Sequence, residues 1–186
     1  VKKEKADLGI CLDGDGDRII VIDENGDIAN GDILMGLLAT SWKRKGSLRG
    51  NALVCTIMSN IALEDYLKSL DLKVYRTKVG DRYVAEKMKE FECNLGGEQS
   101  GHIIMSDYFT TGDGLTAGLQ ILSTIVENGK KASELFRIFE PYPQIINNIK
   151  ITNDSKILES NYITKSISDI EEEIKKEGRV IVRKSG

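Results

Sequence analysis

The sequence predicts an α/β fold with a mainly parallel sheet, because apolar segments of strand length alternate with segments of helical periodicity along most of the chain. The 186 residues are enough for one or two domains. Hydrophobic residues make up 40% of the chain and charged residues 30%, which is typical of a globular protein with a substantial core.

The first predicted elements are two strands and a helix. The apolar runs at 8–12 and 18–22 predict strands on either side of an acidic segment. The apolar spacing at 33–42 predicts a helix that Asp32 caps and Gly46 follows.

The next elements alternate strand and helix. The run at 52–57 predicts a buried strand, and Ser59 is placed to cap a helix that extends to about Leu70. The run at 72–77 predicts another strand.

A further helix follows the Gly-Asp-Arg turn, because Val84, Met88 and Phe91 form one apolar stripe. A glycine-rich loop at 96–102 then leads into a short apolar run. The segment 114–127 predicts a long helix that begins after a Thr-Thr-Gly-Asp-Gly turn and ends at Asn-Gly.

The C-terminal part is more polar and richer in charged residues than the part before it. We therefore place a domain boundary near 140–144, at Pro141 and Pro143. Beyond it we predict a strand at 145–151, a turn at 153–155, a helical region to about Lys176 and a strand in the segment 178–186. About 40 residues are too few for a good core of their own.

Charge and cysteine content limit the possible functions. The net charge is -3, which argues against nucleic-acid or anionic-membrane binding as the main activity. The sequence has no apolar run long enough to span a membrane and no recognisable signal peptide. Cys11, Cys55 and Cys93 lie in apolar stretches, so we expect buried, reduced thiols and a cytoplasmic location. The chain begins at Val1, and we expect it to be part of a longer protein.

The acidic segment predicts a magnesium site. Asp13, Asp15 and Asp17 alternate with two glycines, whose backbone freedom lets the three carboxylates converge. Three carboxylates at one point repel one another unless a cation lies between them, and Mg²⁺ prefers such oxygen ligands.

Other interpretations of the acidic segment are a solvated turn, a calcium loop and a phosphatase site. Glu24 stands at position twelve of an EF-hand pattern, but Arg18 occupies position six, where glycine is required. In a phosphatase of the haloacid-dehalogenase type Asp13 would be the nucleophile and Asp15 the acid–base, and Asp113 would add to a metal site. The turn around Asp113 is a better helix cap than metal ligand.

The glycine-rich loop predicts a sugar-binding segment. Glu98, Ser100 and His102 supply a carboxylate, a hydroxyl and an imidazole on a backbone that we expect to be flexible. The flanking residues fit neither a nucleophile elbow nor a Walker loop. Such groups suit the hydroxyls of a sugar, and a plain connecting loop is the alternative.

Taken together, these motifs resemble the α-D-phosphohexomutase family. The segment DGDGDR at 13–18 is similar to its magnesium loop, GEQSGH at 97–102 to its sugar loop, and RKSG at 183–186 to the start of its phosphate loop. Gln99 and the stretch 78–84 most resemble the bacterial branch that interconverts glucosamine 6-phosphate and glucosamine 1-phosphate for cell-wall amino sugars. Phosphomannomutase or phosphoglucomutase activity within the same family is the alternative.

The resemblance implies an isomerase that transfers a phosphoryl group through a phosphoserine and a bisphosphorylated sugar. It also implies a mixed, mainly parallel sheet with helices on both faces, followed by an incomplete α+β C-terminal piece. By the same resemblance, the Mg²⁺ ligands are Asp13, Asp15 and Asp17, the catalytic arginine is Arg18, the sugar ligands are Glu98, Ser100 and His102, and the phosphate ligands are Arg183 and Ser185.

The chain departs from the family pattern in ways that imply an incomplete enzyme. The phosphoserine loop of the first domain is not found, Lys184 replaces a small residue or proline, and the Thr-Glu-Pro half of the phosphate loop is missing. By resemblance, residues 1–30 end the metal-binding domain, 31–140 form the sugar-binding domain and 141–186 begin the phosphate-binding domain. The expected partners are a phosphorylated hexosamine and the remaining domains, and the chain alone is expected to be inactive.

Overall fold

The computed structural model describes residues 1–150, 158, 160–175 and 178–183. The chain divides into two compact units, Val1–Tyr142 and Pro143–Gly186. The first unit contains two sheets and five helices among its described residues.

The smaller sheet is antiparallel and carries the acidic segment. Its strands are β1 (Leu8–Leu12), β2 (Ile19–Asp23) and β3 (Ile28–Ala29), in the order β1-β2-β3. The pairing of Leu12 with Ile19 brings the two ends of the acidic segment together. The structure confirms β1 and β2 within one residue of prediction, whereas the two-residue β3 was too short to predict.

The larger sheet is mixed and mostly parallel, as predicted. It consists of β4 (Ala52–Thr56), β5 (Lys73–Thr77), β6 (Leu95–Gly97) and β7 (Ile103–Met105), in the order β5-β4-β6-β7. β4 is parallel to β5 and to β6, whereas β6 and β7 are antiparallel. The glycine-rich loop is therefore the connection between β6 and β7.

Helices pack on both faces of the larger sheet. In chain order the helices are α1 (Gly31–Lys45), α2 (Ile61–Ser69), α3 (Asp81–Glu90), α4 (Gly114–Asn128) and α5 (Ala132–Leu135), with a 3₁₀ turn at Arg49–Asn51 before β4. Leu53 and Cys55 of β4 belong to the main core, which α1, α2 and α4 complete. Ala52 and Val54, on the opposite face, pack with Val84 of α3 in a second cluster. This alternation follows from the period of two along a strand.

The helix ends correct two predicted caps. Asn30, rather than Asp32, caps α1, because its side-chain oxygen accepts hydrogen bonds from two backbone amides of the first turn. Asn60, rather than Ser59, caps α2, because its side-chain oxygen accepts a hydrogen bond of 3.0 Å from the Ala62 amide. Asp113 caps α4 as expected, since its carboxylate accepts a bond of 2.6 Å from the Thr116 amide.

All three cysteines lie in the described part of the chain and are free, but one of them is not buried. Cys55 and Cys93 are buried, and burial raises the pKa of the Cys55 thiol to about 11. Cys11 is exposed, which corrects the prediction. It pairs with Ile20 across the smaller sheet, and both side chains lie on the face opposite that of buried Ile19 and Val21.

The second unit has one described helix, α6 (Asn161–Ile174), in the region predicted to be helical. The predicted strand at 145–151 is wrong over 145–150, and no strand forms at 178–183. Apolar residues alone do not make a strand without a neighbouring strand to accept its backbone hydrogen bonds. The turn predicted at 153–155 lies outside the described residues. No helix in the described part of the chain is long and apolar enough to cross a membrane.

Candidate functional site

The acidic segment brings its three carboxylates to one point. Asp13, Asp15 and Asp17 each offer an oxygen, and these three oxygens lie within 4.8 Å of one another. The turn closes through a bond of 3.3 Å from the Gly16 amide to the Asp13 carbonyl, with Gly16 at a φ of 74°. The start of α4 supports it, because the Gly114 amide donates to the Gly16 carbonyl at 2.8 Å.

This carboxylate group fits a hard divalent cation. Its donors are all oxygen, which is the set that Mg²⁺ prefers. Moreover, Oδ1 of Asp17 is buried without a hydrogen-bond partner among the described residues. A buried carboxylate oxygen without a hydrogen bond is costly, and a bound cation would lower that cost. The flanking strands differ from the two helices that enclose an EF-hand loop.

Arg18 lies at the edge of the carboxylate group. Its Nε is 3.8 Å from Oδ2 of Asp13 and 3.8 Å from Oδ1 of Asp17. Its side chain is 52% exposed, so the guanidinium remains accessible to a phosphate. Desolvation raises the pKa of Asp13, but the hydrogen bonds from the Arg18 amide and with the Asp17 side chain, together with the charge of the Arg18 guanidinium, hold that pKa below the usual value.

The glycine-rich loop presents Glu98 and Ser100 at its surface. Oε1 of Glu98 accepts a bond of 2.9 Å from the Gly80 amide, at the turn before α3. The Ser100 hydroxyl donates to the other carboxylate oxygen at 3.3 Å. Glu98 is partly exposed and Ser100 is exposed, so both side chains can reach a ligand in solvent.

His102 is buried and links the two loops. Its Nε2 accepts a bond of 3.2 Å from the Gly112 amide, so the ring proton of the neutral imidazole lies on Nδ1. Nδ1 is 3.0 Å from Oδ2 of Asp17 and donates to it. In this conformation the imidazole has no free nitrogen for a sugar, and it holds a carboxylate of the acidic segment instead.

Backbone contacts also join the two loops. Arg18 and His102 form an isolated antiparallel bridge, and the Ile19 amide donates to the Gly101 carbonyl at 3.1 Å. A Cβ on Gly101 would lie 2.0 Å from the Ile19 carbonyl oxygen. The glycine therefore permits close backbone packing between the two loops.

The other residues of the segments that resemble the family belong to the turn before α3 and to the second unit. Gly80 occupies the N-cap position of α3, with Asp81 in the first turn; the Arg82 side chain pairs with Glu86 at 2.8 Å. Arg183 belongs to the second unit and is exposed, and Ser185 lies outside the described residues.

Several residues of the site could not be found from sequence motifs. The Gly80 amide orients Glu98 across 18 positions, and the Gly112 amide fixes the tautomer of His102. Asp32, expected to be a helix cap, is a buried carboxylate in the first turn of α1, next to Gly31, whose amide donates to the Gln99 carbonyl of the glycine-rich loop. These roles depend on contacts between distant segments, and no local pattern carries that information.

Comparison with known proteins gives one consistent result. Residues 30–142 match the family model described as phosphoglucomutase/phosphomannomutase, alpha/beta/alpha domain III. The chain is 51% identical over all 186 residues to phosphoglucosamine mutase of Rhizobium etli (strain CIAT 652), of which it covers 41%. It thus spans about 40% of the length of the curated relatives it matches.

Solved structures show the same fold. A phosphoglucomutase/phosphomannomutase family protein of Burkholderia thailandensis superposes with a TM-score of 0.66 at 25% identity, over 75% of this chain and 30% of that one. Aspergillus fumigatus N-acetylphosphoglucosamine mutase, in complex with GlcNAc-6P and magnesium, superposes with a TM-score of 0.58 at 19% identity, over 72% of this chain and 33% of that one.

Proposed function

Because the chain belongs to the phosphoglucomutase/phosphomannomutase family, we propose that it supplies the metal loop and the sugar-binding domain of a phosphoglucosamine mutase. The enzyme interconverts glucosamine 6-phosphate and glucosamine 1-phosphate through a phosphoserine and a bisphosphorylated sugar. The observation that carries the proposal is the 51% identity to such an enzyme across every residue of the chain. The contact between the acidic segment and the glycine-rich loop supports it, because the metal and the sugar phosphate must lie close together for phosphoryl transfer.

We propose that Asp13, Asp15 and Asp17 hold Mg²⁺. When bound, the cation supplies charge neutralisation for a phosphoryl group in transfer. Arg18 binds the oxygens of that group beside the carboxylates, since a guanidinium matches a pair of phosphate oxygens better than an ammonium does. The Nδ1 proton of His102 keeps Asp17 in its orientation, as the partner of a metal ligand commonly does.

We propose that Glu98 and Ser100 bind ring hydroxyls of the sugar phosphate. Gly80 fixes one oxygen of Glu98, whereas the other contacts only a rotatable hydroxyl. That second oxygen can therefore exchange Ser100 for a sugar hydroxyl at little cost. A mutase must accept its substrate in two orientations, and a carboxylate that accepts from different hydroxyls suits this requirement.

The proposal extends to the domain division and the location. Residues 1–30 would end the metal-binding domain, 31–140 would form the sugar-binding domain, and 141–186 would belong to the phosphate-binding domain, with Arg183 and Ser185 on the non-transferring phosphate. The free cysteines are consistent with a cytoplasmic enzyme.

A chimaeric mutase tests the function. The 186 residues replace the matching segment of the Rhizobium etli enzyme, which retains its own phosphoserine. We expect the chimaera to convert glucosamine 6-phosphate with a higher kcat/KM than glucose 6-phosphate or mannose 6-phosphate. A folded, serine-phosphorylated chimaera without amino-sugar turnover would contradict the proposal, and a preference for a neutral hexose phosphate would assign a different family activity.

Calorimetry with the 186-residue chain tests the metal site separately. We expect Mg²⁺ to bind and the Asp15→Ala variant to lose the binding heat, whereas Asp65→Ala, at an exposed carboxylate of α2, keeps it. A strong preference for Ca²⁺ over Mg²⁺ would argue against a mutase loop. We expect no mutase turnover from this chain alone, because it contains no recognisable phosphoserine loop.

A further inference from the structure

The chain leaves the first unit through a stiff segment, Pro141-Tyr142-Pro143. The first unit ends at Tyr142 and the second begins at Pro143. Each proline fixes its own φ and has no backbone N–H, and a residue that precedes proline is restricted to extended conformations. The amide of Tyr142 is therefore the only backbone hydrogen-bond donor of this segment, and a partner that holds Tyr142 orients the residues on both sides of it.

The side chain of Asn60 holds both backbone groups of Tyr142. Its Oδ1 accepts a bond of 3.1 Å from the Tyr142 amide, and its Nδ2 donates to the Tyr142 carbonyl at 2.9 Å. One carboxamide thus exchanges two hydrogen bonds with one residue, as two opposed residues of an antiparallel ladder do. The Tyr142 hydroxyl adds a bond of 3.2 Å to Oδ2 of Asp65 in α2. We call the two bonds between Asn60 and Tyr142 the Asn60 clamp.

Asn60 is itself held by the core of the first unit. It is only 7% exposed. Its own amide donates to Oδ2 of Asp32 at 2.8 Å, which joins it to the first turn of α1. Its Oδ1 also accepts a bond of 3.0 Å from the Ala62 amide, as the cap of α2. These contacts fix both the backbone and the side chain, so Asn60 is a firm anchor for Tyr142.

Helix capping alone does not require asparagine at position 60. Serine and aspartate cap helices about as well as asparagine does. Serine is too short to reach Tyr142, however, and an ionised aspartate has no donor for the Tyr142 carbonyl. Asn30, which caps α1, uses only its oxygen, which accepts from two amides of the first turn. Only a carboxamide offers an acceptor and a donor side by side, and at position 60 both are used.

The Asn60 clamp lies at the same edge of the larger sheet as the proposed sugar ligands. Asn60 follows β4, Gly80 follows β5 and Glu98 follows β6. These three strands are parallel, and the carboxyl ends of parallel strands meet at one edge of a sheet, where ligands of such folds bind. The chain therefore leaves the first unit from a fixed point at the edge that carries Glu98.

We propose that Asn60 is a positioning residue: by clamping Tyr142 it fixes the point and the direction in which the chain leaves the sugar-binding unit. For its effect on substrate this inference rests on the proposed function, in which the phosphate ligands follow Tyr142 in the chain. A substrate that contacts residues before and after Tyr142 binds more weakly when the connection is loose, because binding must then also order the connection. The clamp itself can be measured without catalysis.

Hydrogen exchange on the 186-residue chain, followed residue by residue with NMR, measures the clamp directly. Asn60→Ser keeps an oxygen that caps α2 but loses both bonds to Tyr142. We expect the Tyr142 amide to exchange about tenfold faster, as the loss of one hydrogen bond allows, and the amides of α2 to stay within about twofold of their rates. Asn30→Ser, the same substitution at the cap of α1, is the matched control and should leave the Tyr142 amide unchanged. Unchanged Tyr142 exchange in Asn60→Ser, or an equal acceleration throughout α2, would overturn the inference.

The chimaeric mutase measures the consequence for substrate. We expect Asn60→Ser to raise KM for glucosamine 6-phosphate about fivefold and to change kcat less than about twofold. Tyr142→Phe keeps both backbone bonds and loses only the hydroxyl, so its KM should stay within about twofold of the parent value. A fall in kcat and melting temperature at constant KM, or an equal rise of KM in Tyr142→Phe, would refute the positioning role. An inactive parent chimaera would refute the proposed function, and hydrogen exchange would still decide the role of Asn60.

Discussion

Replacing Gly101 with alanine tests whether the two loops are held together by close backbone packing. The residue has a φ of 93°, which costs an alanine about 1–2 kcal/mol. The new Cβ would lie 2.0 Å from the Ile19 carbonyl oxygen, and relieving such a clash costs about 1–3 kcal/mol. If the two loops separated, the hydrogen bond from the Ile19 amide to the Gly101 carbonyl, worth about 1 kcal/mol, would also break. We therefore expect Gly101→Ala to lower the free energy of unfolding by about 3–6 kcal/mol, a large part of the stability of a typical domain.

Urea denaturation followed by the fluorescence of Trp42 measures this loss. Trp42 is the only tryptophan and is buried in the core of the first unit, so its emission reports on that unit. Gly129→Ala is the control, because Gly129 also has a positive φ of 61° but no atom within 4 Å of the added Cβ. It should cost only about 1–2 kcal/mol. Equal losses in the two variants would refute close packing as the reason for Gly101.

Three further predictions concern the carboxylates. Asp15→Asn should raise the Kd for Mg²⁺ at least about tenfold in calorimetry, because one of three charged ligands is lost; unchanged affinity would remove Asp15 from the site. His102→Phe should raise the same Kd about tenfold, since Asp17 loses the donor that orients it; unchanged affinity would contradict this. Burial raises the pKa of Asp32 above 3.8, so the native state holds that proton more firmly than the unfolded state. The stability of the parent chain should consequently fall as pH rises from about 3.8 through the raised pKa, and Asp32→Asn should be the more stable protein at pH 7 but not at pH 3 in urea titrations. A stability difference independent of pH would refute the raised pKa.

The order of elements could be predicted because local patterns dominate it. The strands around the acidic segment follow from short apolar runs, and α4 follows from Asp113 before it and Gly129 after it. The strand β6 could not be predicted, because two of its three residues are glycines, which carry no β-forming signal. The α1 cap was misplaced because Asn30 and Asp32 are both good caps, and only backbone geometry separates them.

The members of the site were easier to predict than their contacts. Asp13, Asp15 and Asp17 stand close together in sequence, so a short turn is enough to gather their oxygens. By contrast, the pair of Asp17 and His102 spans 85 positions, and it exists only because the two sheets meet there. Sequence spacing contains nothing that requires this pairing. Without knowledge of that contact, the sequence predicts only that His102 shares the sugar-binding role of its loop.

The glycines around the site account for how two sheets can place their loops in contact. A Cβ would lie within 3 Å of backbone oxygens at Gly31, Gly97, Gly101, Gly112 and Gly114, in every case on a neighbouring segment of the site. Backbones this close exchange hydrogen bonds directly and leave no room for side chains that could change rotamer. Such packing restricts the loops before ligand binding, which would reduce the conformational entropy lost if a sugar phosphate binds as proposed. Glycine, usually associated with flexibility, thus permits close backbone packing at this site, and the side chains of Arg18 and Ser100 remain accessible to solvent.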